Sequence, residues 1–312
     1  MKRYTVVDAH CDTAEKLLDK GEELNSCSGH LSLEMMQGYN GYVQFFAAWI
    51  SKEEQNPILR TLHILDKIKT EIQKSKPHIE EIRSVQDLVS TLDRGKCGAL
   101  LAIEDARALC GSLSVLRMYY ELGVRAITLA WNDDNDVADG ALSARGVGLT
   151  EFGKRVVQEM NRLHMIVDVS HMTPKGFWDV LSTSGAPVMA SHSNCTTVCA
   201  HKRNLDDKQI CALIEKQGFI GVNLYPIFLS DCGRADRKTI LVHIEHILSL
   251  GGENIIGLGS DFDGVDCLPH GIRSASDYAA LFDDMARIGY SDALIAKITH
   301  TNMINFMKRI EM

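Results

Sequence analysis

Apolar residues run through this chain in short unbroken blocks, separated by longer stretches with helical spacing. Eight blocks stand out, at 5–9, 42–49, 97–103, 125–130, 165–169, 187–191, 219–224 and 255–260. Most are continuous in Val, Ile, Leu and Ala rather than alternating with polar residues, as parallel strands covered on both faces require. Between them, apolar residues recur every three or four positions, as at 153–163, 205–216 and 238–250, the last stopped by Gly251-Gly252. Strand alternating with helix eight times predicts an α/β fold, a (β/α)8 TIM barrel, with residues 1–312 as a single domain. Right-handed crossovers allow the barrel to close. The segment 52–94 is longer than a minimal crossover. Its apolar repeat (Ile58, Leu59, Leu62, Leu65, Ile68, Ile72) predicts two extra helices outside the barrel. Residues 226–237 read as a loop after the seventh strand. The chain shows no internal repeat, low-complexity tract or interdomain linker.

The polar residues that end these blocks supply candidate chemistry, because barrel sites are built at the C-terminal ends of the strands. The first block ends in His10-Cys11-Asp12, and residues i and i+2 of an extended strand point to one side. An imidazole and a carboxylate so placed suit zinc or another transition metal. The third block ends in Glu104-Asp105, the fifth in Asp168-Val169-Ser170-His171, the sixth in Ser191-His192-Ser193, and the eighth in Asp261-Phe262-Asp263-Gly264. Singly, each reads as a helix cap or a hydrogen-bonded structural group. Together, three histidines and two or three carboxylates at one mouth need a cation to be tolerable. One zinc with an open position takes three protein ligands. The five candidates here suffice for two ions sharing a bridging carboxylate and a bridging hydroxide. Glu104, on a strand between the two groups, is the natural bridge, with His10 and Asp12 on one ion and His171 and His192 on the other. His243 and His246 share one face of a predicted outer helix, which points to a solvated or packing role. Cys195 and Cys199 fit a local helical turn better than a metal pair. His30, His63, His78, His164, His201, His270 and His300 show no partner pattern.

Composition narrows the partners. With a formal charge of −8 over 312 residues, the chain is a poor match for nucleic acid or an anionic membrane. No run of 18 apolar residues exists to span a bilayer. Met1-Lys2-Arg3-Tyr4 passes straight into the first block and leaves no room for a signal peptide, and the C-terminal Met307–Met312 carries no lipidation signal. Nine cysteines without paired spacing read as reduced core thiols, which places the protein in the cytoplasm.

Taken in order, Asp8-Ala9-His10-Cys11-Asp12, Ala102-Ile103-Glu104, Gly148-Leu149-Thr150-Glu151-Phe152-Gly153, Val167-Asp168-Val169-Ser170-His171, Pro187 to Ser193, Lys202-Arg203-Asn204 and Gly259 to Gly264 resemble the membrane dipeptidase (renal dipeptidase) family of zinc metallopeptidases, in its soluble bacterial-type members. The resemblance covers nearly the whole chain. It implies a barrel with two Zn2+ per chain, held by His10, Asp12, Glu104, His171 and His192, and thus a catalytic role for Glu104 as the bridge. It also implies that Arg203 binds the terminal carboxylate of a small dipeptide substrate and that Asp261 is the catalytic aspartate, leaving Asp263 as the structural member of that turn. The implied activity is hydrolysis of dipeptides, with tolerance for a C-terminal D-residue, and the implied assembly is a homodimer. One departure stands out: Trp131 occupies the place of a family histidine that contacts substrate, and the neighbouring Asn132 could supply a hydrogen bond instead. Asp139, in Val137-Ala138-Asp139-Gly140, matches a family motif without an assigned role. The alternatives are a different metal-dependent amide hydrolase on the same barrel, such as a deacylase, and a barrel that only binds a ligand.

Overall fold

In the computed structural model, which describes residues 4–312, the apolar blocks become parallel strands. They are β1 (Val6–Cys11), β2 (Tyr42–Trp49), β3 (Ile79–Ile82), β4 (Cys97–Glu104), β5 (Val124–Thr128), β6 (Ile166–Asp168), β7 (Met189–Ala190), β8 (Phe219–Val222) and β9 (Ile256–Leu258). Pairing runs β1-β2-β4-β5-β6-β7-β8-β9 and returns to β1, so eight strands close into a (β/α)8 barrel. Each expected block supplies one barrel strand. The helices expected at 153–163, 205–216 and 238–250 form as Glu151–Arg162, Asp207–Glu215 and Arg237–Ser249. Met1, Lys2 and Arg3, on which the expectation about a signal peptide falls, lie outside the described residues. Among the described residues, no helix is long and apolar enough to cross a membrane.

The segment 52–94 departs from expectation in two ways. It folds as helix Pro57–Lys74, strand β3 and helix Val85–Asp93. The extra strand pairs with the lower half of β4, from Ile79↔Cys97 to Ile82↔Leu100, and β5 takes over that edge from Leu101 upward. With Glu80 and Glu81 at its centre, β3 carries no apolar run. Those carboxylates are held by Lys96 at 2.8 Å and Lys69 at 2.8 Å. The second helix does not stand outside the barrel. Its Val85, Leu88 and Leu92 join Phe306 and Met307 of helix Asn302–Arg309 against the barrel interior, closing the floor. Residues 226–237, expected as loop, begin with the short helix Pro226–Leu229, opened by proline at its first position. Asp236 then caps helix Arg237–Ser249 in a reciprocal box with Thr239.

Inside the barrel, Val7, Ala9, Val43, Phe45, Leu100 and Phe219 pack together, while their strand neighbours face the helices. One register shift matters for function. Asp8 pairs with Gln44, but the next pair is Cys11 with Phe46, so Ala9 and His10 together oppose a single residue of β2. This bulge lets His10 follow Ala9 inward while Cys11 stays on the helix side. Of the nine free cysteines, only Cys11, Cys97, Cys195 and Cys199 are buried; Cys110, Cys211, Cys232 and Cys267 are exposed, so the expectation of core thiols holds for part of the set. Cys211 sits on a helix surface and the other exposed ones in turns or loops, where a small thiol need not be buried.

The floor carries a stability prediction. Phe306 is fully buried, its ring centroid 6.0 Å from that of Phe219. Phe306→Ala is expected to cost about 3–5 kcal/mol, the range for a large buried aromatic leaving a cavity. Denaturant titration followed by circular dichroism measures it; a loss under about 1 kcal/mol would show that the floor collapses to fill the space.

Candidate metal centre

The five expected ligands converge at the C-terminal mouth of the barrel. Glu104, last residue of β4, stands among the histidines: its Oε2 is 3.4 Å from His10 Nε2, and its Oε1 is 3.0 Å from His171 Nε2 and 3.5 Å from His192 Nε2. Asp12 Oδ2 is 3.4 Å from His10 Nε2. Ligand atoms of His10, Glu104 and His192 lie within 4.8 Å of one another, as do those of His10, Asp12 and Asp261. His10 thus belongs to both ends of the cluster, and Asp261 joins it. All six residues are buried.

Hydrogen bonds behind the imidazoles set which nitrogen faces the cluster. Ser191 Oγ donates to Asp168 Oδ2 at 2.5 Å, which leaves it to accept from His192 Nδ1 at 2.7 Å. His171 Nδ1 lies 2.9 Å from Asn132 Oδ1, an acceptor. Each Nδ1 therefore carries the hydrogen, and each Nε2 presents a lone pair inward. The two Nε2 atoms are 2.8 Å apart, an arrangement that lone pairs tolerate only with a cation or proton between them. His10 Nε2 and Asp12 Oδ1 are buried without any hydrogen-bond partner. Buried polar atoms are seldom left so, and imidazole nitrogen with carboxylate oxygen is a donor set suited to zinc. The residues present fit a metal centre.

The electrostatics agree. Burial holds His171 down at about 4, with the Arg203 charge adding to it, and burial also holds His192 well below the usual imidazole value, helped by His10. Both imidazoles are therefore neutral at pH 7. Burial opposes charge on Glu104, but His10 and His171 outweigh it and keep the carboxyl well below its ordinary range. Burial also opposes charge on His10, yet Glu104 and Asp12 overcome it and push His10 well up. The cage demands a positive charge at its centre.

Backbone geometry at two strand ends is unusual. His171 and Asp261 adopt left-handed φ of 66° and 63°. Non-glycine residues pay on the order of 1–3 kcal/mol for such conformations, which persist where the surroundings dictate them. Around His171, Ala141 N donates to its carbonyl at 2.6 Å, and Gly140 bridges Met172. Asp139 closes this loop, accepting from Arg145 Nε at 2.5 Å and from Gly148 N at 2.7 Å, which gives that motif residue a structural place. In the eighth turn, a side chain at Gly264 would collide with the Asp12 and Asp261 carboxylates, so the position requires glycine. Asp261 Oδ2 accepts from Asn223 Nδ2 at 2.9 Å, and burial raises its pKa. Asp263 points away, accepting from Thr13 Oγ1 at 2.6 Å, His30 N at 2.7 Å and Lys16 Nζ at 3.0 Å.

A cleft of about 450 Å³ opens over the cluster, walled by Trp49, Trp131, Tyr225 and Phe228 beside Asp12, Glu15, Glu104, His171 and Asp261. Trp131 packs edge-on against Trp49, ring centroids 5.1 Å apart. Asn132 reaches the wall too, but its side-chain oxygen is engaged on His171. Arg203 lies one layer behind the wall. It is only 5% exposed, with Nη2 3.3 Å from the His192 carbonyl, its guanidinium 5.3 Å from the Phe228 ring and Nε without a partner. Burial pushes it down to about 10 against the pull of Asp261 and Glu104. Helix histidines stay outside: His243 is bonded between Cys195 N and the Leu229 carbonyl, and His246 to Asp207 at 2.7 Å. Sequence reasoning gave no role to Trp49, Asn223, Ser191, Tyr225, Phe228 or Glu15. Trp49 and Asn223 end strand blocks, a usable signal; Glu15 looks like any polar helix residue.

Comparison with known proteins identifies the family. The family model described as membrane dipeptidase (peptidase family M19) matches residues 1–312. Two relatives from Schizosaccharomyces pombe, each described as an uncharacterized dipeptidase, are 40% identical over 222 residues (70% of this chain, 54% of the relative) and 33% identical over 309 residues (92% and 74%). The chain thus spans between about half and three quarters of the length of these curated relatives. A solved metallopeptidase from Rhodobacter sphaeroides, liganded with a phosphinate mimic of the dipeptide L-Ala-D-Ala, superposes with a TM-score of 0.91 at 27% identity, covering 99% of this chain and 100% of that one. Matched from its first residue to its last, the chain belongs to the membrane dipeptidase family, peptidase family M19.

Proposed function

We propose that this protein is a metallo-dipeptidase that hydrolyses the peptide bond of dipeptides, including those with a C-terminal D-residue, with two zinc ions in the cluster at the barrel mouth. The observation that carries the reading is Glu104, whose oxygens lie 3.0–3.5 Å from the Nε2 atoms of His10, His171 and His192, the first of them buried without a hydrogen bond. In this reading His10 and Asp12 would hold one ion and His171 and His192 the other, with Glu104 shared between them. When bound, the ions supply Lewis acidity toward the scissile carbonyl and bring the pKa of a water down to the neutral range. The protein's own groups do the rest. Asp261, oriented by Asn223, accepts a proton from the attacking water and returns it to the leaving amine; its burial-raised pKa suits a group that must hold that proton. Arg203 offers a buried guanidinium with a free Nε to the terminal carboxylate, reached past Phe228. Trp131 shapes the wall where the family histidine stands, and Asn132 fixes His171 rather than touching substrate. The Rhodobacter sphaeroides relative, with its dipeptide mimic, supports the substrate class. A single domain, a cytoplasmic location and a homodimer belong to the same proposal; nine free thiols support the location.

Metal removal tests the reading first. Chelator-stripped protein is expected to lose hydrolysis of L-Ala-L-Ala and L-Ala-D-Ala, and zinc at about two ions per chain to restore it. Cleavage of an N-acyl amino acid but of no dipeptide would shift the reading to a deacylase; no metal uptake would overturn it. Asp261→Asn is expected to retain both ions by mass spectrometry while kcat falls roughly 100-fold or more, and an unchanged kcat would remove Asp261 from proton transfer. Asn132→Ala is expected to weaken zinc retention about 10- to 100-fold in chelator competition, as loss of a ligand-orienting bond does. Full retention with a raised KM would make Asn132 a substrate contact instead.

A further inference from the structure

The cleft is asymmetric in charge. Around the barrel ring, β7 and β2 stand four strands apart out of eight, on opposite sides. Arg203 is buried beneath the β7 end, against the carbonyl of His192. On the far side, Trp49 ends β2, and Glu15 projects from helix Thr13–Lys20, one turn beyond Asp12. Acidic side chains line both sides, Asp266 beside Tyr225 and Glu15 opposite, so a substrate carboxylate gains only against the buried Arg203. A dipeptide bound across the metals therefore turns its N-terminal residue toward Trp49 and Glu15.

That far side is built to receive positive charge. Glu15 lines the cleft with its side chain 18% exposed, and burial pushes its carboxyl up to about 7 although Arg60 hydrogen-bonds it. Arg60 does not neutralise it alone, because the same guanidinium also binds Asp19, 2.8 Å from Nη1 and 2.8 Å from Nη2. With Glu15 ionised, the three groups carry a net charge of −1. The Glu15–Arg60 contact, 2.9 Å, uses only one carboxylate oxygen, Oε1. No lysine or arginine is among the residues that wall the cleft. The indoles of Trp49 and Trp131, packed edge to face, flank the approach, and an indole face attracts cationic side chains.

We propose that Glu15 is a specificity-determining residue that selects dipeptides whose N-terminal residue has a cationic side chain, lysine or arginine, laid along Trp49 with its charge on the Glu15 carboxylate. This deepens the dipeptidase reading and rests on it. The zinc-loaded protein is assayed on L-Lys-L-Ala, L-Met-L-Ala and L-Glu-L-Ala, methionine being a neutral side chain of similar length. The kcat/KM for the lysyl peptide is expected to exceed that for the methionyl peptide about tenfold, with the glutamyl peptide lowest, the scale of one charge-assisted hydrogen bond in a partly buried site. Glu15→Gln is expected to bring the lysyl-to-methionyl ratio down to about one, and Glu15→Lys to move the preference to the glutamyl peptide. Each ratio is taken within one preparation, so partial folding or metal loss does not move it. Equal rates for the lysyl and methionyl peptides in the unaltered protein, or a ratio unmoved by Glu15→Gln, overturn the proposal and leave the dipeptidase reading standing. Failure to cleave any of the three overturns both.

Discussion

The structure depends on one electrostatic constraint: carboxylates and imidazoles meet out of water at the barrel mouth. Asp12, Glu104 and Asp261 converge on His10, and the two remaining imidazoles turn lone pairs toward each other. In a low-dielectric setting such a group is tolerable only around a positive charge. The opposite shifts of Glu104 and His10, one held down and the other pushed up, express that demand in the protein's own groups.

Much of the barrel serves to hold this cage. Two buried carboxylates, Asp8 and Asp168, do at the strand ends what ladder hydrogen bonds do lower down. Asp8 Oδ1 accepts from His10 N and Ser260 N, both at 3.1 Å, while Oδ2 accepts from Tyr278 Oη at 2.5 Å. Asp168 Oδ1 accepts from Ser170 N and Ser191 N, both at 3.0 Å, and its Oδ2 from Thr128 and Ser191 hydroxyls. Each ties the backbone of one ligand strand to its neighbour. Strands as short as Met189–Ala190 can therefore present His192 rigidly. Removing either carboxylate would orphan several buried donors at once, which is far costlier than losing one surface bond.

Positioning and chemistry are shared between layers. The imidazoles at the mouth have tautomers set from behind by Ser191 and Asn132, so these neighbours decide which nitrogen faces the cluster. The cleft wall, by contrast, is aromatic and comes from loops after different strands, where changes such as Trp131 leave the barrel unaffected.

The sequence by itself determined the barrel, since continuous apolar runs alternating with amphipathic helices have few other ways to bury both faces of every strand. It also determined the convergence of His10, Asp12, Glu104, His171 and His192, because each follows an apolar block and barrel closure brings all strand ends to one rim. It did not reveal β3, whose Glu80 and Glu81 erase the apolar signal, nor the helix Val85–Asp93 tucked under the floor, whose periodicity is the same whether it packs outside or below. Only the tertiary structure decided that a bulge turns His10 inward, that Asn132 backs His171, that Arg203 is buried and that Glu15 faces the cleft. These depend on register, rotamer and the meeting of residues far apart in the chain, whereas periodicity reports only which face of an element is dry.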